Sequence, residues 1–271
     1  MLELRFAYRM KLDFDPPVEK HRFTLKCTPR SNARQEISGL QIQVYPNEFL
    51  SNYVDSFGNA CIYGSSEALH DHFSIEVTGT ARTGLSPWEE AEDGVHVGPY
   101  KYQSAYTVPG PAIRAFAKTV PPIPGQAPLP RAATLMSALY GRFPYAKGVT
   151  DLHTTAEQAM ALGSGVCQDY AHILLSLCRL EAIPARYVGG MLLGEGLSHA
   201  WVEVCDGGRW FALDPTNDLV VDDQHIKISS GRDFRDCVIN QGVFTGLSAS
   251  QSQTIGVSVE PAPGRMNGGE Q

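Results

Sequence analysis

A short glycine-containing segment leads directly into an apolar helical pattern in the stretch GSGVCQDYAHILLSLC, residues 163–178. Pro184 disfavours α geometry at Ile183, so the helix has to end before it. The chain therefore needs a core that covers one broad face of this helix. Cys167 lies at the position where the helix begins. Apolar residues recur at helical spacing and form that face: Ile173, Leu174, Leu177, Cys178 and Leu180.

On either side of this helical region, apolar residues mostly alternate with polar ones, a pattern that is typical of strands. Residues 1 to about 80 contain short alternating segments separated by turn residues, and they predict an antiparallel β-sandwich. Helical spacing begins near Ala112, and a period of two returns after Pro184 in an antiparallel β-meander. We therefore predict an α+β protein in which a Cys-bearing helix packs on an antiparallel sheet.

The predicted divisions of the chain follow these changes of pattern. Residues 1–80 form the N-terminal β-sandwich, residues 81–110 form a connector, and residues 111–262 form a core that includes the C-terminal strands. Residues 263–271 are polar and glycine-rich, so we expect a disordered tail. A capping-box spacing in TTAEQ, residues 154–158, predicts that a further helix begins before the glycine segment.

The position of Cys167 allows two interpretations. A free cysteine is often a small apolar residue that fills a gap in a core. A thiol at a helix N-terminus, however, meets unpaired backbone N–H groups and the positive end of the helix dipole, and both stabilise a thiolate. Cys167 is therefore a candidate nucleophile, whereas Cys178, on the apolar stripe of the same helix, is expected to be inert.

A candidate partner for the thiol lies in SHAWVEVCDGGRWFALDPT, residues 198–216. The dipeptide DG at residues 206–207 predicts a two-residue hairpin turn, which sets His199 directly opposite Asp214 on one face of the sheet. A three-residue loop would set the two residues diagonally, still within reach of each other. Because a histidine can take the proton of a thiol and a carboxylate can orient that histidine, Cys167, His199 and Asp214 form a candidate catalytic triad.

Charge and composition argue against several classes of function. The 271-residue chain has 22 basic and 29 acidic residues, a formal net charge of −7, so we expect no nucleic-acid partner. No apolar run approaches the ~20 residues of a membrane span, and the N-terminal segment lacks the apolar core of a signal peptide. We therefore expect a cytoplasmic protein with no membrane partner.

The cysteines do not predict a metal or disulfide framework. Six are spread over the chain, and none forms a C-x-x-C pair. Such spacing is typical neither of a disulfide scaffold nor of a zinc site. No acidic loop has the character of a calcium site. We therefore expect no metal and no cofactor.

Three motifs, in this order, resemble the core of the transglutaminase-like superfamily: GVCQDYAHILLSLCRLEAIPARYV, SHAWVEV and RWFALDPTND. The similarity is to a bacterial branch of candidate cysteine proteases, and the strand-rich start with DSFGN resembles the N-terminal β-domain of that branch. The resemblance implies a papain-like core in which Cys167 is the nucleophile, His199 the base and Asp214 the orienting carboxylate. Gln168 follows the cysteine as it does in that branch. Gln168 and Trp201 are assigned to substrate binding, although Trp201 could simply pack.

The predicted function is thiol-dependent acyl transfer on a peptide or protein substrate. Cys167 attacks a peptide or carboxamide carbonyl and forms a thioester, while its backbone N–H contributes to an oxyanion hole. Water as the acceptor makes the enzyme a peptidase or amidase, which the resemblance favours, whereas an amine makes it a protein-glutamine transamidase. A non-catalytic peptide-binding module is the alternative from a different class.

Overall fold

The computed structural model describes residues 1–91, 97–246 and 250–263. These residues form two antiparallel sheets and a layer of helices, so the predicted α+β class is confirmed. Part of the predicted connector, and residues 264–271 of the predicted disordered tail, lie outside the described residues. Within the described ranges, every helix is too short or too polar to cross a lipid bilayer.

The first sheet is organised by one long strand, β1 (Leu2–Leu25), along which buried and exposed residues alternate. The first half of β1 pairs with β5 (His70–Thr83), and its second half pairs with β4 (Ala60–Ser66). Two further strands extend these pairs, because β2 (Gln35–Tyr45) adds to β5 and β3 (Phe49–Val54) adds to β4. The alternating segments near the N-terminus thus form antiparallel strands.

The last two strands of the chain complete this first sheet. β13 (Asn240–Thr245) and β14 (Ser250–Pro261) both pair with β1, and β8 (Gly194–Gly196) pairs with β14. β13 and β14 thus add to the first sheet, whereas the predicted division groups them with residues 111–262. The reason is that β1 is long enough to offer two edges, and β13 and β14 satisfy backbone groups on the edge that β4 and β5 leave open.

The second sheet contains the predicted β-meander. One of its faces carries Ala200, Val202 and Val204 against the helices, and Met191 and Ile226 pack in a common core with residues of the first sheet. All its strand pairs are antiparallel. The strands lie in the order β11 (Leu219–Val220), β10 (Arg209–Asp214), β9 (His199–Asp206), β7 (Ala185–Leu192) and β12 (His225–Gly231), with β6 (Glu89–Glu90) paired to β10.

The helices cover the Ala200 face of the second sheet. The predicted capping box is present, since Thr155 and Gln158 exchange hydrogen bonds at the start of the third helix. The carboxylate of Glu157, in the same turn, accepts three backbone N–H groups at the start of the first helix. The α-helices are α1 (Pro111–Lys118), α2 (Pro128–Tyr140), α3 (Ala156–Leu162) and α4 (Cys167–Leu180), and 3-10 turns lie at Gly98–Lys101 and Phe234–Cys237.

The turn between β9 and β10 differs from the prediction. Gly207 and Gly208 form it, with φ values of 58° and 79°, and Asp206 is already paired in the ladder. Two consecutive positive φ values suit two glycines, because a Cβ atom is strained in that region. The predicted register, with His199 directly opposite Asp214, is therefore wrong by two residues. A shift of two keeps every side chain on its predicted face.

Candidate active site

Cys167 is the first residue of α4, at the end of the glycine segment. The residue before it, Val166, is extended, and its backbone N–H donates to the carboxylate of Asp169 at 2.7 Å. The hydroxyl of Thr150 donates to the same carboxylate oxygen at 2.6 Å. Burial raises the pKa of Asp169 above its ordinary value. Asp169 thus holds the backbone from which the thiol projects.

Cys167 differs from the other cysteines in its exposure. It is half-buried, whereas the other five cysteines are buried. Burial raises the pKa of Cys178, on the same helix, to about 12. Exposure therefore distinguishes Cys167 from the buried cysteines, which are Cys27, Cys61, Cys178, Cys205 and Cys237.

His199 begins β9 and Asp214 ends β10, and Nε2 of the histidine lies 2.7 Å from Oδ2 of the carboxylate. Asp214 is fully buried. Its Oδ1 accepts the backbone N–H of Thr216 at 3.0 Å, and its Oδ2 accepts the side-chain amide of Asn217 at 2.7 Å. Burial by itself raises the pKa of Asp214, but hydrogen bonds from His199, His225 and Asn217 hold that pKa well below its usual range.

The imidazole of His199 interacts with the carboxylate and with the thiol in different ways. Its Nε2 bonds Asp214, and Cys167 lies close enough to influence the pKa of the ring. Burial lowers the pKa of His199, but the hydrogen bonds and charges of Asp214 and Cys167 outweigh burial and raise it to about 10. A protonated imidazole beside a thiol favours the thiolate. The fold thus joins His199 to Asp214 by a hydrogen bond and brings Cys167 near enough to affect the pKa of His199.

A second histidine, His225, contacts Asp214 and was not among the predicted site residues. It begins β12, and its Nε2 lies 3.1 Å from Oδ2 of Asp214. Its Nδ1 lies 3.2 Å from Oδ1 of Asp222. Because β7 pairs with both β9 and β12, His199 and His225 meet at the same end of the sheet. The segment HIKISSGRDFRDC, which begins at His225, resembles the segment that follows the core in the same family, but the contact of His225 with Asp214 follows from the strand order.

The two residues predicted to bind substrate are both buried. The side-chain amide of Gln168 donates to the carbonyl of Leu152 at 3.3 Å. Trp201 is 2% exposed, and its ring centroid lies 6.2 Å from that of His199 and 5.4 Å from that of His225. Trp201 therefore packs against both histidines. Substrate binding stays a prediction for Gln168 and Trp201.

Ligand atoms of His199, Asp214 and His225 lie within 4.8 Å of one another, a spacing at which they could hold a metal ion. Hydrogen bonds already join the same groups, because both imidazoles contact Oδ2 of Asp214. Such bonds account for the cluster without a metal. The chemistry that the site offers through these bonds is that of a thiol, a base and an orienting carboxylate.

The residues of the candidate site lie in a part of the chain that matches a known protein family. Residues 118–215 match the Transglutaminase-like superfamily, and this range includes Cys167, His199 and Asp214. Residues 4–82 match the bacterial transglutaminase-like N-terminal region. The two matches leave residues 83–117 between them, a stretch that includes most of the predicted connector and of α1.

Curated relatives and solved structures extend over most of the chain. An uncharacterized protein of Mycobacterium leprae is 27% identical over 277 residues, covering 94% of this chain and 98% of that protein. An uncharacterized protein of Mycobacterium tuberculosis is 28% identical over 272 residues, covering 87% of this chain and 85% of that protein. The crystal structure of a candidate cysteine protease from Cytophaga hutchinsonii is 20% identical, with a TM-score of 0.76 over 97% of this chain and 92% of that one. At that identity, the structural likeness shows the fold.

Proposed function

Because the chain belongs to the bacterial branch of the transglutaminase-like superfamily, we propose that it is a cysteine-dependent acyl-transfer enzyme. Its substrates are peptides or proteins, and its reaction is hydrolysis of a peptide or carboxamide bond. Cys167 is the nucleophile, His199 the acid and base, and Asp214 the carboxylate that orients His199. We further propose that it works in the cytoplasm, which suits six cysteines that are all free thiols.

One observation carries the catalytic proposal. The ring of His199 is hydrogen-bonded to the buried carboxylate of Asp214, and the thiol at the start of α4 lies near enough to raise the pKa of that ring. A core cysteine that only filled a gap would need neither an imidazole nor a carboxylate behind that imidazole. Nucleophilic catalysis by a thiol uses an imidazole as the base, and a carboxylate behind the imidazole fixes its tautomer and orientation.

The geometry supports the following sequence of bond changes. The thiolate of Cys167 attacks the carbonyl carbon of an amide, so the S–C bond forms as the C=O π bond breaks. The carbon becomes tetrahedral, and its oxyanion lies near the N-terminus of α4. Protonated His199 then donates its Nδ1 proton to the leaving nitrogen as the C–N bond breaks, and a thioester remains. Neutral His199 next takes a proton from water, the resulting hydroxide attacks the thioester, and the acid leaves as the thiolate returns.

Transamidation is the second candidate, because the same thioester can be attacked by an amine. The half-buried thiol of Cys167 is open to either acceptor. Hydrolysis is preferred because the solved relative with the same fold is described as a candidate cysteine protease. The acceptor therefore has to be identified by experiment.

The test uses the full chain and a library of fluorogenic peptide amides, with and without a fluorescent primary amine. We expect release of the fluorophore without the amine, and no release by Cys167→Ala protein under the same conditions. Incorporation of the amine into a glutamine-containing protein, with no hydrolysis, would instead identify a transamidase. Equal activity of the wild-type and Cys167→Ala proteins would exclude a thiol mechanism.

A further inference from the structure

His225 contacts the carboxylate of the proposed triad from a strand that carries neither of its other members. It begins β12, its side chain is 2% exposed, and its Nε2 lies 3.1 Å from Oδ2 of Asp214. The groups that face its ring are Asp214, Asp222, His199 and Trp201. Two carboxylates and an imidazole thus surround a buried histidine that the proposed reaction does not use.

The partners of His225 determine where its proton lies. Asp214 is held in its ionised form by its hydrogen bonds, so it can only accept. Nε2 of His225 must therefore carry a proton in order to bond Oδ2 of Asp214. Nδ1 faces Asp222, whose side chain is 44% exposed and can bond water instead. A single ring proton belongs on Nε2, because water cannot replace a donor lost from the buried carboxylate of Asp214, whereas it can solvate the exposed carboxylate of Asp222.

We propose that His225 is a positioning residue, which holds Asp214 in the orientation that His199 requires; this inference rests on the proposed function. Oδ2 of Asp214 accepts from His199 on β9, from Asn217 in the turn after β10 and from His225 on β12. Donors from three directions prevent rotation of the carboxylate about its χ2 angle. Asp222 contributes a second bond only when the ring of His225 is doubly protonated.

The test compares two substitutions that differ in one donor. His225→Leu fills similar space and removes the N–H group, whereas the Nε2 amide of His225→Gln can take the place of the imidazole Nε2. We expect kcat of His225→Leu to fall roughly 10- to 100-fold with KM nearly unchanged, as for loss of one hydrogen bond to a charged group. His225→Gln should recover most of this loss. Asp222→Asn is the matched change on the other side of the ring, and it should lower kcat less than His225→Leu does.

A second measurement does not depend on turnover. In Cys167→Ala protein, ¹⁵N chemical shifts of the imidazoles should show a proton on Nε2 of His225. The Nε2 proton of His199 should exchange with water faster when His225→Leu is added. If the wild-type protein has no activity, the proposed function fails while this measurement still decides the role of His225.

Three results would overturn the inference. The first is unchanged kcat in His225→Leu protein. The second is equal loss in His225→Leu and His225→Gln proteins whose melting temperatures match the wild type, because the N–H donor would then not matter. The third is an unprotonated Nε2 in the ¹⁵N spectrum. Rescue of kcat by glutamine, by contrast, would not be expected of a residue that only fills space.

Discussion

Nε2 of His199 lies 2.7 Å from Oδ2 of Asp214, although the two residues are not partners in the β9–β10 ladder. The last paired residues are Val202 and Leu213, so His199 and Asp214 lie beyond the ladder and diagonal to each other. They share one face of the sheet, and a diagonal distance is within the combined reach of an imidazole and a carboxylate. The contact therefore requires that both side chains lie on the same face of the sheet, and it does not require that the two residues pair directly across the ladder.

Alkylation should single out Cys167. Iodoacetamide at neutral pH is expected to modify this thiol much faster than the others, because they are buried and burial raises the pKa of Cys27, Cys178 and Cys237 to about 12. Mass spectrometry of tryptic peptides after short exposures measures the rates. Cys205→Ala serves as the control and should leave the labelling pattern unchanged. Labelling of Cys178 as fast as Cys167 would contradict the assignment of the nucleophile.

Substitution of the carboxylate should lower the pKa of His199. In the folded protein this pKa is raised to about 10, so the protonated ring stabilises the fold fully below its ordinary value of about 6.5, and the stabilisation is lost as pH rises through about 10. Asp214→Asn removes the charge and should return the titration toward the ordinary value. Activity should fall steeply with it, because an asparagine also changes the tautomer of the ring.

Two measurements check this expectation. NMR titration of His199 gives its pKa in the wild-type and Asp214→Asn proteins. Thermal unfolding at neutral and alkaline pH gives the linked change in stability, which should be larger for the wild type. A titration of His199 near 10 in both proteins would mean that Asp214 does not control the histidine.

Removal of Glu203 should destabilise the second sheet. This carboxylate is buried and bonds Arg186 and Lys227 at 2.5 and 2.9 Å. Burial raises its pKa, but these two cations hold the pKa well below its usual range, so the stabilisation is present above about pH 4.3 and is lost toward lower pH. Glu203→Ala is expected to cost about 3–5 kcal/mol in free energy of unfolding at neutral pH.

Urea unfolding measures this cost, and an exposed ion pair on the same sheet provides the control. Glu90 pairs with Arg209 at 3.1 Å, and both side chains are largely exposed. Glu90→Ala should therefore cost less than about 1 kcal/mol. Similar costs for Glu203→Ala and Glu90→Ala would show that burial does not strengthen the inner pair.

The helix α1 should depend on a side chain from α3. Glu157 accepts the backbone N–H groups of Gly110, Ala112 and Ile113 at 2.7–3.0 Å, and so takes the part of an N-cap. Glu157→Ala should reduce the free energy of unfolding by about 0.5–2 kcal/mol. Glu157→Gln keeps one acceptor oxygen and should lose less. If Glu157→Ala costs no more than Glu36→Ala, an exposed carboxylate on β2, the cap has no energetic role.

Local patterns predicted the parts of the site that depend on one element. The helix at Cys167 follows from a glycine segment and an apolar stripe, and the face of His199 and Asp214 follows from a period of two. That period explains why an error of two residues in the hairpin register left both side chains on the correct face. The glycine pair at Gly207 and Gly208 was the signal for the true register, because both need positive φ.

Tertiary structure decided what depends on strands that are distant in sequence. The sequence alone determined the α+β class, the helix start that bears the thiol and the side of the sheet on which the imidazole and carboxylate lie. Only the folded chain brings His225 to Asp214, buries Trp201 beneath the histidines and pairs β14 with β1. The physical reason is that strand order and burial come from packing summed over the whole chain, and no short window contains that sum.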